Sequence, residues 1–329
     1  MRLGLRTYRA WAVLLILTVM VAACGQGVKQ AEAPAGKDSK KPVIKIGYLP
    51  ITHAAPLFIE EELGKSKFKQ FELQLVKFGS WPDLMDALNT GNIQGASVLI
   101  ELAMRAKEQG IDLKAVALGH KDGNVVVTAN DIQQVADLKG KSFAIPHKFS
   151  THNVLLYLML KQSGMKLSDL NVVELPPAEM PAALAEKRIA GYVVAEPFGA
   201  RSVAIQKGKV LFQSEQLWND SVDCGLVLRG DFIRSNKDAV AEFVAEYVKA
   251  GAVAERKDAQ AKQILSKYMS VEDKVLDLSL QWIKYDELKL DAGSYKELQT
   301  YMKEMGLIPN PPSFEDFVDN SFIDEAMKR

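Results

Sequence analysis

A repeated alternation of short apolar strands with helices is the feature that most limits how this chain can fold. Segments 43–48, 95–100 and 142–146 are rich in β-branched and apolar residues, and each is followed by a helical pattern. Strands of this kind are buried on both faces of a parallel sheet that helices cover. The loops after the strands then gather along one edge, where open α/β sheets bind their ligands.

This alternation occurs in two sets, and the chain is long enough for two lobes instead of one core. We expect lobe I to comprise residues 42–125 and 222–329, with lobe II, residues 126–221, inserted between them. The predicted fold class is therefore α/β, with two lobes that are each a mainly parallel sheet flanked by helices. Two crossings between the lobes imply a hinge, and the ligand cleft is expected between them.

The first residues predict export. Three arginines precede an apolar run over 10–20, and small residues lead to Cys24, which is the layout of a secretory signal. The ending V-A-A-C resembles the bacterial lipobox, which implies that residues 1–23 are removed and that Cys24 is lipidated; the alternative is a simple secretory signal with a chance cysteine. Residues 24–41 have the composition of a flexible linker. The expected location is the outer face of the cell membrane, on a lipid anchor.

Charge and motif content exclude several functions. Lys plus Arg and Asp plus Glu each number 41 and are interspersed, so no basic surface for nucleic acid is expected. Once Cys24 is lipidated, Cys224 has no disulfide partner and is expected to be a small buried hydrophobe. G-x-S-x-G, G-x-G-x-x-G and Walker motifs are absent, and the four histidines lack H-E-x-x-H spacing. We therefore predict no enzyme activity, no cofactor and no metal.

The strand–turn–helix segment 143–153 is the strongest candidate for a binding site. Ser150 is placed to cap the helix, because its hydroxyl can accept from a backbone N–H of the first turn. Helix N-termini carry free amides and the positive end of the helix dipole, which favours anions and polar groups. Thr151 and His152 follow in that first turn. The alternative is an ordinary corner whose polar residues merely cap the helix.

Polar side chains in the loops after the strands complete the predicted site. The predicted ligand-binding residues are Thr52, His53, Ser80, Trp81, Ser150, Thr151, His152 and Glu196. Hydroxyl, imidazole and amide donors suit a small oxyanion, which must be desolvated without being held irreversibly. Lys121 and Lys148 are either a source of positive charge or solvated surface residues.

Three of these residues have alternative structural roles. His53, like His120, is equally well a loop histidine whose hydrogen bonds are satisfied, and Trp81 is either an aromatic wall or a hydrophobic contact under its helix. The Glu196 carboxylate would repel an anion. It either stabilises its own helix start, pairs with Arg201 or accepts a hydrogen bond from an amine.

Six motifs in sequence order resemble the solute-binding lipoproteins of bacterial ABC importers for nitrate, sulfonates, taurine and bicarbonate. They are G-Y-L-P-I-T-H-A-A-P (47–56), S-W (80–81), D-L-K-G-K (137–141), I-P-H-K-F-S-T-H-N (145–153), A-E-P-F-G-A-R (195–201) and G-L-I-P-N-P-P (306–312). The resemblance implies the two-lobed venus-flytrap fold of periplasmic binding proteins, with delivery of a small molecule to permease subunits in the membrane. Nitrate-type members use a tryptophan and a histidine that match Trp81 and His152, whereas loop 98–102 is closer to the sulfonate-type members.

The resemblance thus implies a monomeric, extracytoplasmic solute-binding component of an ABC importer that captures a small oxyanion, of the sulfonate or taurine type or of the nitrate or bicarbonate type. An alternative keeps the fold but places a vitamin-precursor heterocycle, of the hydroxymethylpyrimidine or flavin type, against Trp81. A periplasmic enzyme is the third possibility, but the cysteine-rich segment that such relatives use is absent from the sequence.

Overall fold

The computed structural model of the protein describes residues 41–328. The predicted signal sequence, Cys24 and nearly all of the predicted linker lie outside these residues. Within residues 41–328, no helix combines the length and the apolar character needed to cross a membrane.

Strands and helices alternate through the first two thirds of the described chain, as predicted, and helices dominate the remainder. The strands are β1 (Val43–Tyr48), β2 (Glu72–Lys77), β3 (Gly95–Leu99), β4 (Leu113–Leu118), β5 (Lys121–Asp122), β6 (Asn124–Thr128), β7 (Ser142–Ile145), β8 (Asn171–Glu174), β9 (Gly191–Ala195), β10 (Lys209–Gln213), β11 (Cys224–Arg229) and β12 (Ile283–Lys284). The α-helices are α1 (Ala55–Gly64), α2 (Trp81–Asn89), α3 (Ile100–Glu108), α4 (Thr151–Gln162), α5 (Met180–Ala185), α6 (Phe198–Ala204), α7 (Ser214–Leu217), α8 (Gly230–Ser235), α9 (Lys237–Arg256), α10 (Ala259–Met269), α11 (Asp273–Ser279), α12 (Ala292–Glu304), α13 (Phe314–Phe317) and α14 (Ser321–Ala326).

Two mixed sheets form the cores of two lobes. The sheet of lobe I has the strand order β2-β1-β3-β11-β4, and the sheet of lobe II has the order β10-β6-β9-β7-β8. Strands β3, β6 and β9 are buried along their whole length, which explains their nearly continuous apolar sequences. Helices flank both sheets, so the predicted fold class is confirmed.

Each sheet contains one strand that runs against the others, and in both lobes it is the strand that enters from the other lobe. Strand β6 pairs antiparallel with β9 and β10, and β11 pairs antiparallel with β3 and β4. An entering antiparallel strand begins at the edge where its parallel neighbours end. Cys224, the first residue of β11, accordingly lies opposite Leu99, the last residue of β3.

The C-terminal region packs on lobe I. Residue Val318 forms a parallel bridge with Ala115 of β4, and the long helix α9 packs on α1 and α14. Sheet membership changes between β4 and β6 and again between β10 and β11. The exact boundaries expected at 125/126 and 221/222 stay predictions.

The two lobes contact each other through hydrogen bonds between loops. The amide and the hydroxyl of Thr52 in lobe I both donate to the Glu196 carbonyl of lobe II, at 2.9 and 3.1 Å. From the other side, the hydroxyl of Thr151 in lobe II contacts the carbonyl of Val222 at 2.6 Å. The strand ends of the two sheets are therefore close enough to form one joint site.

Candidate functional site

A fully buried cluster of polar side chains lies where the strand ends of the two lobes meet. His53 occupies the short helical turn after β1, and Asp223 immediately precedes Cys224, the first residue of β11. The Nδ1 atom of His53 lies 3.0 Å from Oδ2 of Asp223 and 3.4 Å from Sγ of Cys224. Strand topology explains this meeting, since β1 ends and the antiparallel β11 begins at the same edge of the sheet.

His120 joins this cluster from the loop after β4. Its Nδ1 atom lies 2.8 Å from the carbonyl oxygen of Asp122, to which it donates, so its Nε2 atom keeps a lone pair. That Nε2 atom is 3.8 Å from Oδ2 of Asp223, and the ring lies 3.6 Å from the His53 ring between centroids. Gly119 permits the approach, because a Cβ atom there would lie 2.7 Å from the His53 carbonyl oxygen.

Asp223 is oriented by lobe II as well as by lobe I. The side-chain amide of Asn124, the first residue of β6, donates to Oδ2 of Asp223 at 2.8 Å. The other carboxylate oxygen, Oδ1, is buried and has no hydrogen-bond partner. One oxygen of this carboxylate is thus fixed by protein donors while the other is left with its acceptor capacity unused.

Lobe II contributes His152 from the first turn of α4. Ser150 caps this helix as predicted, accepting from the Asn153 amide at 3.2 Å. The His152 ring is completely buried, stacks 6.5 Å from the His53 ring between centroids, and neither of its nitrogen atoms has a hydrogen-bond partner. An imidazole buried with both nitrogens unpaired is costly, which is unusual for a residue that only fills space.

Thr151 links the two lobes through a buried carboxyl group. Its hydroxyl contacts Glu101, in the first turn of α3, as well as the Val222 carbonyl. Burial raises the pKa of Glu101 well above its usual value, and the nearby Asp223 carboxylate raises it further. A protonated Glu101 can donate to the Thr151 oxygen while the Thr151 proton goes to Val222, so a hydroxyl with a single proton satisfies both contacts.

The three clustered histidines are neutral at neutral pH. Burial lowers the pKa of His53 and of His120 to about 3, and that of His152 to about 4, because the charged imidazolium loses its hydration. Each neutral ring has one nitrogen with a lone pair, and that of His120 Nε2 accepts only a long hydrogen bond from the Cys224 amide, at 3.5 Å. The cluster is therefore able to donate electron pairs to a cation or to accept hydrogen bonds.

Other buried polar atoms around this cluster also have no partner among the described residues. They are Nε2 of His53, Oε2 of Glu101, Oδ1 of Asn124 and the hydroxyl of Ser221. Native interiors contain few such atoms, because each costs about 1–3 kcal/mol when it is left unpaired. Their concentration at one place makes the cluster the candidate binding site of the described residues.

Two further residues of the predicted site, Ser80 and Trp81, lie at the start of α2. Ser80 caps α2 by accepting from the Asp83 amide at 3.3 Å, and its hydroxyl donates to the Asp83 carboxylate at 2.7 Å. Trp81 is buried and its indole N–H has no partner. Their role in ligand binding stays a prediction.

Glu196 stabilises the start of its own helix, which is one of the three roles considered for it. Its carboxylate accepts from the amide of Ala200, in the first turn of α6, at 2.8 Å. Burial raises the pKa of Glu196 to about 7, and the backbone hydrogen bonds oppose that change. Through its carbonyl oxygen it also holds Thr52, as described above.

Neither lysine considered as a source of positive charge has a described contact with the cluster. Lys121 pairs with Glu287 at 3.0 Å, and Lys148 lies over the ring of Phe149 at 5.1 Å. His147, the fourth histidine, is only partly buried and accepts from the Phe149 amide at 3.0 Å. The donors of the cluster are thus neutral or acidic groups.

Sequence reasoning missed how the cluster is assembled. Asp223, Asn124 and Glu101 were not chosen as candidates, His120 was considered only as a loop residue, and Cys224 only as a buried hydrophobe. The pattern that would have found them is positional, because all of them stand at the end of a parallel strand or at the start of an antiparallel one.

Comparison with known proteins places this fold in one class: two-lobed periplasmic binding proteins. The model of the NMT1-like family matches residues 37–269, and the chain belongs to that family. It is similar to the zinc-bound ligand-binding component of an ABC-type import system from Staphylococcus aureus, with 43% identity, a TM-score of 0.82, and coverage of 87% of this chain and 99% of the other.

Two curated relatives are more distant. The nitrate/nitrite binding protein NrtA of Nostoc is 26% identical over 70% of this chain, which spans 57% of that protein's length. A putative aliphatic sulfonates-binding protein of Escherichia coli is 25% identical over 71% of this chain and 74% of its own length. The relatives are named as binding proteins, in agreement with the class that the sequence motifs implied.

Proposed function

We propose that this protein is the extracytoplasmic solute-binding component of an ABC importer. The observation that supports this most strongly is the buried polar cluster, in which strand-end residues of both lobes meet. A solute that contacts both lobes favours their closed arrangement by its differential affinity for that arrangement. The permease subunits in the membrane are the proposed partners, and the binding protein itself acts as a monomer that does not convert its solute chemically.

The proposed solute is small and polar, and two chemical classes have support. The names of the nitrate- and sulfonate-binding relatives support an oxyanion, for which the neutral, unpartnered imidazole of His152 offers an N–H donor. The zinc-bound Staphylococcus aureus relative supports a metal cation. The heterocycle proposed for Trp81 has a weaker basis, because no described contact connects Trp81 with the cluster.

We also propose a lipid anchor at the N-terminus of the mature protein. Lipidation of Cys24 after removal of residues 1–23 would hold the protein at the membrane surface, with residues 24–41 as the tether. Metabolic labelling with a fatty acid tests this directly, since the wild-type protein should be labelled and Cys24→Ser should not. Equal labelling of both would contradict the anchor while leaving the solute-binding role intact.

A thermal-shift panel on the purified protein tests the solute-binding role. A ligand at a hundred times its dissociation constant should stabilise the folded state by about 2.7 kcal/mol. The panel contains nitrate, bicarbonate, taurine, alkanesulfonates, pyrimidine and flavin compounds and divalent metals, and each responding compound is recovered and analysed. We expect one class to raise the melting temperature and to be recovered unchanged; steady turnover of that compound would contradict the proposal.

A further inference from the structure

We propose that His53, His120, Asp223 and Cys224 bind a divalent transition-metal cation of the zinc type, and that this cation is the solute. The inference rests on the proposed solute-binding role and specifies its chemistry. One ligand atom from each of the four residues lies within 4.8 Å of the corresponding atoms of the others, and all four side chains are fully buried.

The kinds of donor atom in the cluster select the class of metal. Two imidazole nitrogens, one carboxylate oxygen and one thiolate sulfur form a mixed set that suits zinc and its neighbours in the first transition row. Magnesium and calcium prefer oxygen ligands throughout, and here they would find only one carboxylate. The donor set therefore predicts selection of zinc and cobalt over the alkaline-earth cations.

The spacing of the donors is close to that of a tetrahedral site. With metal–nitrogen and metal–oxygen bonds of about 2.0–2.1 Å, the edges of a tetrahedron are about 3.3 Å, and edges to sulfur are about 3.6 Å. The separation from His53 Nδ1 is 3.0 Å to Asp223 Oδ2 and 3.4 Å to Cys224 Sγ, and that from His120 Nε2 to Asp223 Oδ2 is 3.8 Å. Small rotations of the side chains are enough to reach the expected edges.

Neighbouring groups already orient two of the four donors. The hydrogen bond from His120 Nδ1 to the Asp122 carbonyl fixes the tautomer in which Nε2 has the lone pair. The Asn124 amide fixes the Asp223 carboxylate. Hydrogen bonds of this kind to the outer side of metal ligands are a regular feature of metal sites, because they set ring orientation and ligand basicity.

Charge balance also fits a divalent cation. Binding forms a metal–sulfur bond and releases the proton of the Cys224 thiol to solvent. The thiolate and the Asp223 carboxylate then offset the two positive charges, while the imidazoles stay neutral.

The four donors all belong to lobe I, and His152 provides the link to lobe II. Its two nitrogen atoms are buried without partners, and its ring is stacked 6.5 Å from that of His53. A cation held by lobe I attracts this neutral imidazole, either directly or through a metal-bound water. Metal binding would thereby favour the closed arrangement of the lobes, as delivery to a permease requires.

The simpler alternative is that these residues form a hydrogen-bonded core without a ligand. It accounts for the contact between His53 and Asp223, but not for the unpartnered atoms Nδ1 and Nε2 of His152 and Oδ1 of Asp223. Core packing would favour apolar residues at these places, because buried polar atoms without partners are costly. A metal with its bound water offers those atoms partners.

Cobalt titration of the chelator-stripped protein tests the inference. A Cys24→Ser background leaves Cys224 as the single cysteine of the chain. We expect one equivalent of Co²⁺ to bind with a thiolate-to-cobalt charge-transfer band and the strong visible absorption of tetrahedral cobalt, and Zn²⁺ to displace it. In this background Cys224→Ser should abolish the charge-transfer band, and His53→Gln should weaken binding by at least tenfold.

His147→Gln is the matched control, because it removes a histidine that lies outside the cluster, and it should bind cobalt like the parent. Circular dichroism on each variant separates loss of binding from loss of folding. Should Cys224→Ser unfold the protein, the cobalt spectrum of His53→Gln still decides the matter. Cobalt binding without the charge-transfer band, or unchanged in the folded His53→Gln variant, would overturn the assignment of the site.

The same protein separates this inference from the proposed function. If an oxyanion raises the melting temperature while Zn²⁺ and Co²⁺ do not bind, the importer role stands and the metal inference is overturned. If neither metals nor any compound of the panel binds, both are overturned. If Zn²⁺ binds with one-to-one stoichiometry and Mg²⁺ and Ca²⁺ at equal concentration do not, the metal inference is supported.

Discussion

The two lobes contribute to the buried cluster in unequal ways. Lobe I supplies four potential donors, His53, His120, Asp223 and Cys224, which already contact one another. Lobe II supplies His152, whose nitrogens have no hydrogen-bond partner, and Thr151 and Asn124, which are engaged in hydrogen bonds between the lobes. From this difference we infer that lobe I holds the solute and that lobe II moves toward it when it binds.

The largest expected effect is on lobe I. Asp223→Asn keeps the shape of the side chain but removes the charge that the metal proposal requires, and we expect zinc affinity to fall by at least about 100-fold, or about 2.7 kcal/mol. Isothermal titration calorimetry measures this. Glu60→Gln makes the same kind of substitution at another buried carboxyl group of lobe I and should leave the affinity unchanged. Equal zinc affinities for Asp223→Asn and wild type would contradict the proposal that lobe I binds the metal.

The next effect concerns the contact between the lobes. Thr151→Val removes the hydroxyl that joins Glu101 to the Val222 carbonyl, so the unfolding free energy should fall by about 2 kcal/mol, because buried polar groups lose their partner. Urea denaturation measures the change. Thr128→Val is the matched control, since the hydroxyl of Thr128 is equally buried but has no partner, and it should not destabilise the protein. If Thr151→Val leaves the unfolding free energy unchanged, this contact does not hold the lobes together.

A smaller effect is expected from lobe II at the cluster itself. His152→Gln should lower solute affinity about tenfold, or by about 1.4 kcal/mol, and should reduce the compaction that small-angle X-ray scattering detects on binding. His147→Gln, in the loop that precedes α4, should change neither quantity. If His152→Gln lowers affinity as much as Asp223→Asn does, the proposed difference between the lobes is wrong.

The smallest effect concerns the pH dependence of lobe II. The pKa of Glu196 is about 7 in the folded protein and near 4.5 in the unfolded chain, so the folded state binds more protons between these values. Its contribution to stability is therefore lost as pH rises, by about 1 kcal/mol between pH 6 and pH 7. Relative to Glu196→Gln, the wild type should lose that much unfolding free energy in urea titrations at the two pH values. The neighbouring Tyr192, whose pKa is raised by burial, stays neutral in both proteins. If the unfolding free energies of the wild type and of Glu196→Gln change equally between pH 6 and pH 7, the raised pKa of Glu196 is contradicted.

Much of the fold could be predicted from the sequence, because apolar strands and capped helices are local signals. The predicted strand 142–146 corresponds to β7, the helix predicted after the turn in segment 143–153 corresponds to α4, and Ser150 is its cap as expected. The family was also recognised correctly from short motifs. These features depend on residues that are near one another in the chain.

The cluster could not be predicted in the same way, because its members are far apart in the sequence. His53 and Asp223 are 170 positions apart, and they meet only because β11 runs against β3 at the edge where β1 ends. A search for ligand motifs with fixed short spacing, such as H-E-x-x-H, cannot find a site of this kind. His152 was selected correctly as a residue of interest, but its burial without partners could be learned only from the structure.

An anomalous difference map of zinc-soaked crystals, recorded at the zinc absorption edge, tests the central claim most directly. The account predicts one strong peak about 2.0–2.3 Å from His53 Nδ1, His120 Nε2 and Cys224 Sγ, with His152 facing it from lobe II. A peak confined to exposed carboxylates, with none at the cluster, would contradict it.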